Sequence, residues 1–236
     1  MQSRRFALSI SLLLAIALLG GCAASPDTTG PLPRARSLLD ASADALGQLH
    51  SVNFAFNVSG AVPGLSVREV EGVARRDPPP HGYARGTADV QHGIKRAQYE
   101  FVVADGALTL ENGEGLTRRE PVPQPFDPAQ LLGRKNGLRT LLDGARQPHT
   151  EGKEELHDVP TFRVDGKLPR HVIAAVVPGV HTDVDVKFWV SQDPSRRLLR
   201  MWVQVPPRQR NEGAVMLELA LTNHNAGVEP QSSAAG

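Results

Sequence analysis

The residue with the most chemistry to offer in this 236-residue chain is its single cysteine. Cys22 follows Leu19-Gly20-Gly21, which ends an apolar run from Phe6 that begins behind Arg4 and Arg5. A short cationic start, small residues at a cut point and an apolar stretch shorter than the ~20 residues of a spanning helix describe an export signal. Leu, two small residues and Cys resemble a bacterial lipobox. Gly20 and Gly21 let a peptidase approach the backbone before Cys22. The thiol can take a diacylglyceryl thioether and the freed amine a further acyl chain. Each buried methylene contributes about 0.8 kcal/mol, so two or three chains anchor far better than one. Residues 1–21 are therefore expected to be a lipoprotein signal peptide. Lipidated Cys22 then holds the chain on the extracytoplasmic face of the cell membrane. Ser3-Arg4-Arg5-Phe6 leaves both the general and the twin-arginine export routes open.

Little else in the sequence is reactive. Without a second cysteine there is no disulfide within the chain and no zinc site built of cysteines. The motifs G-x-S-x-G, H-E-x-x-H, G-x-x-x-x-G-K-[ST] and G-x-G-x-x-G are absent. His149 and His157 read as surface histidines, since no acidic cluster at ligand spacing accompanies them. Asp183 and Asp185 alternate with valines and read as the wet face of a strand. The doublets Arg75-Arg76, Arg118-Arg119 and Arg196-Arg197 read as solvated turns. Losing residues 1–21 removes two arginines and leaves a net charge near −1, which is not the basic surface of a nucleic-acid binder. No catalytic residue, metal or cofactor is expected.

The elements that must position any binding site are easier to read. Residues 22–33 form a lipidated tether, 34–226 a single domain, and 227–236 a disordered tail. Pro33–Leu49 has helical apolar spacing. Val52, Phe54, Phe56 and Val58 alternate as a strand. Further strands are expected at Ser66–Arg75, Tyr83–Val90, Lys95–Val103 and Ala107–Leu110, the last two joined by an Asp105-Gly106 turn. Glu111–Pro125 reads as a loop. Short helices follow at Asp127–Leu132 and Asn136–Leu142, then strands at Thr150–His157 and Thr161–Leu168. Pro169–Val177 reads as a buried helix. Three alternating strands end the domain, carrying Val184/Val186/Phe188/Val190, Leu199/Met201/Val203/Val205 and Val215/Leu217/Leu219/Leu221. The class is α+β: a large antiparallel sheet with helices on one side.

Several runs carry a family resemblance. They are Gly30-Pro31-Leu32-Pro33, Val58-Ser59-Gly60-Ala61-Val62-Pro63-Gly64-Leu65, Phe101-Val102-Val103-Ala104-Asp105-Gly106, Asp127-Pro128-Ala129-Gln130-Leu131-Leu132 and Asn136-Gly137-Leu138. In this order, behind a lipobox, the chain resembles the LppX/LprG family of actinobacterial cell-envelope lipoproteins from Gly30 to about Asn223. The resemblance implies a curved, incomplete antiparallel barrel with helices packed on its concave face, as in the carrier LolA. It also implies an apolar cavity for acyl chains between sheet and helices. It departs between Leu110 and Phe126, where a tryptophan and a tyrosine are expected, at His224-Asn225 in place of Trp-Gly, and in an expanded Asp77–Pro80 turn.

The strand bearing Ala84, Gly86, Ala88 and Val90 has a small-residue face that leaves room above it. With these four, the expected cavity lining is Phe54, Phe56, Phe101, Phe188, Met201 and Leu217. The implied function is to bind acylated lipids or glycolipids and carry them between membrane layers. The implied partners are the lipid, the membrane through the anchor, and an integral membrane lipid exporter. A lipid sensor or scaffold without transport stays open as the alternative. An enzyme acting on envelope lipids is the remote one, because no nucleophile or metal constellation is visible.

Overall fold

The computed structural model describes residues 26–134, 137–209 and 212–226. The export segment, Cys22 and the tail from 227 lie outside the described residues.

The first helix, α1 (Ala35–Gly47), buries Leu38, Leu39, Ala43 and Leu46 at 3–4 residue spacing and leaves Asp40 and Asp44 in water. Six strands follow: β1 (Ser51–Ser59), β2 (Val67–Arg75), β3 (Tyr83–His92), β4 (Lys95–Ala104), β5 (Ala107–Asn112) and β6 (Thr117–Pro121). A 3-10 turn (Gln124–Phe126) and two short helices, α2 (Pro128–Leu131) and α3 (Leu138–Asp143), lead to β7 (Arg146–Leu156) and β8 (Val159–Leu168). The one-turn helix α4 (Arg170–Ile173) precedes β9 (Val184–Ser191), β10 (Leu198–Val205) and β11 (Val215–Thr222).

All eleven strands form one antiparallel sheet in the order β6-β5-β4-β3-β2-β1-β11-β10-β9-β8-β7. It is two meanders joined where the first strand meets the last. β6 and β7 are its edges, so the barrel is incomplete. Phe54 pairs with Leu221, Phe56 with Leu219 and Val58 with Leu217, which puts both alternating sets on one face, as the apolar period requires. That face, called inner here, carries the helices and the main core. The helices are unevenly spread. α1 packs against α3 and lies over β7, β9 and β10, whereas the short α2 packs against β2 and β3.

Two expected elements change. Glu111–Pro125 contains β6, a polar edge strand paired residue by residue with β5 from Ala107↔Pro121 to Glu111↔Thr117. Its sequence, Thr-Arg-Arg-Glu-Pro, has no apolar period because backbone pairing alone holds it. The expected helix over 169–177 is one turn long. Ile173 and Val177 are buried there, but Ala175 is exposed. Two of the expected solvated arginines are structural. Arg76 donates to the carbonyls of Leu132 (2.7 Å), Gly47 and Leu46, tying the end of β2 to α1 and to the residue after α2. Arg196 donates to the Gln192 carbonyl and lies 5.4 Å over the Phe162 ring.

Candidate functional site

The strand registers bring all ten expected lining residues to the inner face. Ala84 pairs with Val103, Gly86 with Phe101, and Gly86 also with Gly72, itself opposite Phe54. Met201 pairs with both Phe188 and Leu219, the latter opposite Phe56. Burial then divides them. Phe188, Leu217, Met201, Ala84, Ala88 and Phe101 are buried, while Phe54, Phe56 and Val90 are only half-buried against the same core. Further apolar residues on the β1–β5 side, Val70, Leu108 and Leu110, are half-buried too. Because α1, backed by α3, lies over the other half of the sheet, the greasy inner surface of β1–β5 has less helix above it.

Polar groups hold the short helices around this surface. Asp127 is 4% exposed. One carboxylate oxygen accepts from the backbone N–H groups of Ala129 (3.0 Å) and Gln130 (3.3 Å), capping α2. The other lies 2.7 Å from His81 Nδ1, so the cap also fixes the turn before β3. Arg139 joins α3 to α1 through the Ala43 carbonyl (3.1 Å) and Asp44 (3.0 Å). At the free edge, Arg118 and Glu120 pair with Leu110 and Leu108, so both point to the inner face, where they form an ion pair. Inward-pointing charge on an edge strand discourages pairing with another sheet.

The outer face is not uniformly wet, as alternation alone suggests. Trp189, 1% exposed, packs edge-on to Trp202 at 4.8 Å and joins Leu156 and Leu199 in a second small core. Trp189 Nε1 donates to Glu154, and Arg163 bridges Glu154 (2.8 Å) and Glu151. Burial pushes the Glu151 carboxyl up, but its bonds to Lys187 and Arg163 outweigh that and hold it below the ordinary range. Arg200 lies over both indoles, 5.9 and 5.8 Å from the ring centroids, and pairs with Glu218 at 3.0 Å. Trp189 escapes a sequence reading because it stands inside the continuous apolar run Phe188–Val190.

The remaining chemistry-bearing residues stay dispersed. Asp185 is tied to Lys167, and Asp183 accepts from the Arg170 N–H at 2.8 Å; both are exposed. His149 and His157 are exposed. No group of three or more His, Cys, Asp or Glu side chains placed to hold a metal occurs among the described residues. No described helix is long and apolar enough to cross a membrane.

Against known proteins, residues 34–230 match the sequence model of the LppX_LprAFG lipoprotein family. The lipoarabinomannan carrier protein LprG of Mycolicibacterium smegmatis is 32% identical over 203 residues, 82% of this chain and 85% of the relative. The putative diacylated glycolipid transporter LprF of Mycobacterium bovis is 24% identical over 239 residues, 94% of this chain and 88% of the relative. In structure the chain is similar to crystalline LprF from Mycobacterium bovis, with a TM-score of 0.71 at 23% identity, covering 87% of this chain and 97% of that one. It is also similar to the Mycobacterium tuberculosis lipoprotein LppX, at 0.62 and 20% identity, covering 82% and 96%.

Proposed function

We propose that this chain, which belongs to the LppX_LprAFG lipoprotein family, is a membrane-anchored envelope protein that takes the acyl chains of a lipid or glycolipid against its inner face and carries it between membrane layers. Lipidated Cys22 supplies the anchor, on the extracytoplasmic face. The observation that carries the binding step is the apolar inner surface of β1–β5, left half-buried at Phe54, Phe56, Val70, Val90, Leu108 and Leu110. Water against that surface is unfavourable by about 25 cal/mol per Å², and an acyl chain would displace it as a side chain does. The names of the LprG and LprF relatives, a carrier and a putative transporter of acylated glycans, support the substrate class. The chemistry needed is burial and release, with no bond made or broken.

The test is to express the full chain in an actinobacterial host, extract it in mild detergent and record native mass spectra. A stoichiometric lipid with two or more acyl chains is the expected result. Detergent alone on the protein overturns the reading. Ala88→Trp adds an indole at a buried small-residue position between Val70 and Tyr99. It should lower lipid loading while thermal melting stays cooperative. Movement of labelled lipid from donor to acceptor vesicles separates a carrier from a sensor, which would load lipid and release none.

A further inference from the structure

A groove of about 770 Å³ opens on the opposite, outer face, over β1–β4 and β11. Two cross-strand rows make its walls. In one, Asn53 faces Val73, which faces Arg85; in the other, Glu71 faces Thr87, which faces Glu100. The row between them points inward and includes Gly72 opposite Gly86. A Cβ on Gly72 would collide with the Arg85 carbonyl, and one on Gly86 with that of Glu71, so only glycine permits this approach. Because that row points inward, the floor of the groove between the two walls is backbone, and Tyr83 extends the first wall.

The polar groups here are unspent. Arg85, Glu100 and Asn53 have no side-chain hydrogen bond or ion pair among the described residues, and Glu71 receives only a 3.5 Å contact from Thr87. On β7–β11 most outer-face charges, Arg163, Glu151, Lys187, Arg200 and Glu218, are paired with one another. Glu71 and Glu100 each face Thr87 across one strand spacing, about 5 Å, while Asn53 and Arg85 stand two strands apart across Val73. Two carboxylates against one guanidinium repel phosphate. An amide, a hydroxyl, a guanidinium and carboxylates together suit hydroxyl groups, which both donate and accept. A phenol ring beside them offers a flat apolar platform.

The geometry points to a binding groove for a neutral saccharide on the outer face, separate from the inner apolar face. This goes beyond the proposed lipid site and does not depend on it.

The experiment uses the acylated full chain in lipid nanodiscs, with mannotetraose and maltotetraose as probes. Saturation-transfer NMR and titration should show binding of at least one. Arg85→Ala and Glu100→Gln should each weaken it about tenfold, the effect of removing a hydrogen bond to a charged group. Ala55→Trp, placed beside Glu71 on the same wall, should abolish it. Asn53→Ala serves if the tryptophan variant does not fold. No transfer to either sugar, equal binding by the variants, or tighter binding of inorganic phosphate or spermine at these residues overturns the proposal. The probes have no acyl chains, so lipid loading can fail while the groove binds, and the reverse.

Discussion

The two meanders share one sheet but use it differently. On β7–β9 and the start of β10 the inner face is sealed: Phe188, Val164 and Val190 are 0% exposed under α1 and its neighbours, and only toward β1 do Val205 and Leu219 become half-buried. The outer face there is knitted by the tryptophan pair and its ion pairs. On β1–β5 the inner face is half-covered, and the groove side of the outer face keeps unpaired polar groups. Close packing stabilises but leaves no room for a ligand. A half with apolar surface outside the close-packed core can hold one. The difference suggests a division of labour, with the second meander as frame and the first as binding surface.

The largest effect should come from the frame. Phe188→Ala should cost about 3–5 kcal/mol, the range for emptying a fully packed aromatic site. Phe56→Ala, at a half-buried position, should cost less than half as much, because its site is already partly open. Urea unfolding of both variants measures the gap. Equal losses would erase the asymmetry.

On the outer face the expected contrast is smaller. Glu154→Ala strips an acceptor from the buried Trp189 indole and one from Arg163. It should cost about 1–3 kcal/mol, the penalty for leaving such groups unsatisfied. Arg85→Ala removes a side chain with no partner and should stay within about 0.5 kcal/mol. If Arg85→Ala proved the more damaging change, the groove arginine would be structural and the comparison would fail on this face.

How much of this could be read from the sequence depends on where the signal lies. The strands of β1, β3 and β9–β11 are legible because a buried face imposes a period of two on Val52–Val58, Ala84–Val90 and Val215–Leu221. The inner-face location of the ten candidate residues follows from the same period. β6 leaves no such trace, since Arg118 and Arg119 bury nothing. The expected helix over 169–177 shortens to one turn because Val172–Val177 is apolar for packing in a turn, which periodicity cannot tell from a helix. The groove is invisible for a different reason. Asn53, Glu71, Arg85 and Glu100 are ordinary polar alternates of four separate strands, and only register assembles them. The small-residue face Ala84, Gly86, Ala88 and Val90 points to space above the inner face; the closeness of Gly86 to Gly72 is a tertiary fact.

The smallest effect tests the seam between the halves. Just past β11, Asn225 donates its backbone N–H to the Ser51 carbonyl at the start of β1 (2.8 Å), and His224 Nε2 donates to the Leu198 carbonyl of β10 (2.9 Å). Burial holds the His224 pKa below its ordinary value, against the opposing pull of the Leu198 bond; Nδ1 is buried without a partner. Above about pH 6.5 the imidazole is neutral in both folded and unfolded chains and adds no pH dependence. As pH falls through that value the unfolded chain takes the proton first, so stability drops until the lowered folded pKa is passed. Asp193, held far below the ordinary carboxylate range despite its burial by bonds from Ser195 and Arg197, loses its contribution only in more acidic solution. Unfolding curves from pH 8 to 5 should therefore show a decline below about pH 6.5 that His224→Gln abolishes. If the variant kept the full decline, the titrating group would lie elsewhere and the seam would not be acid-sensitive through His224.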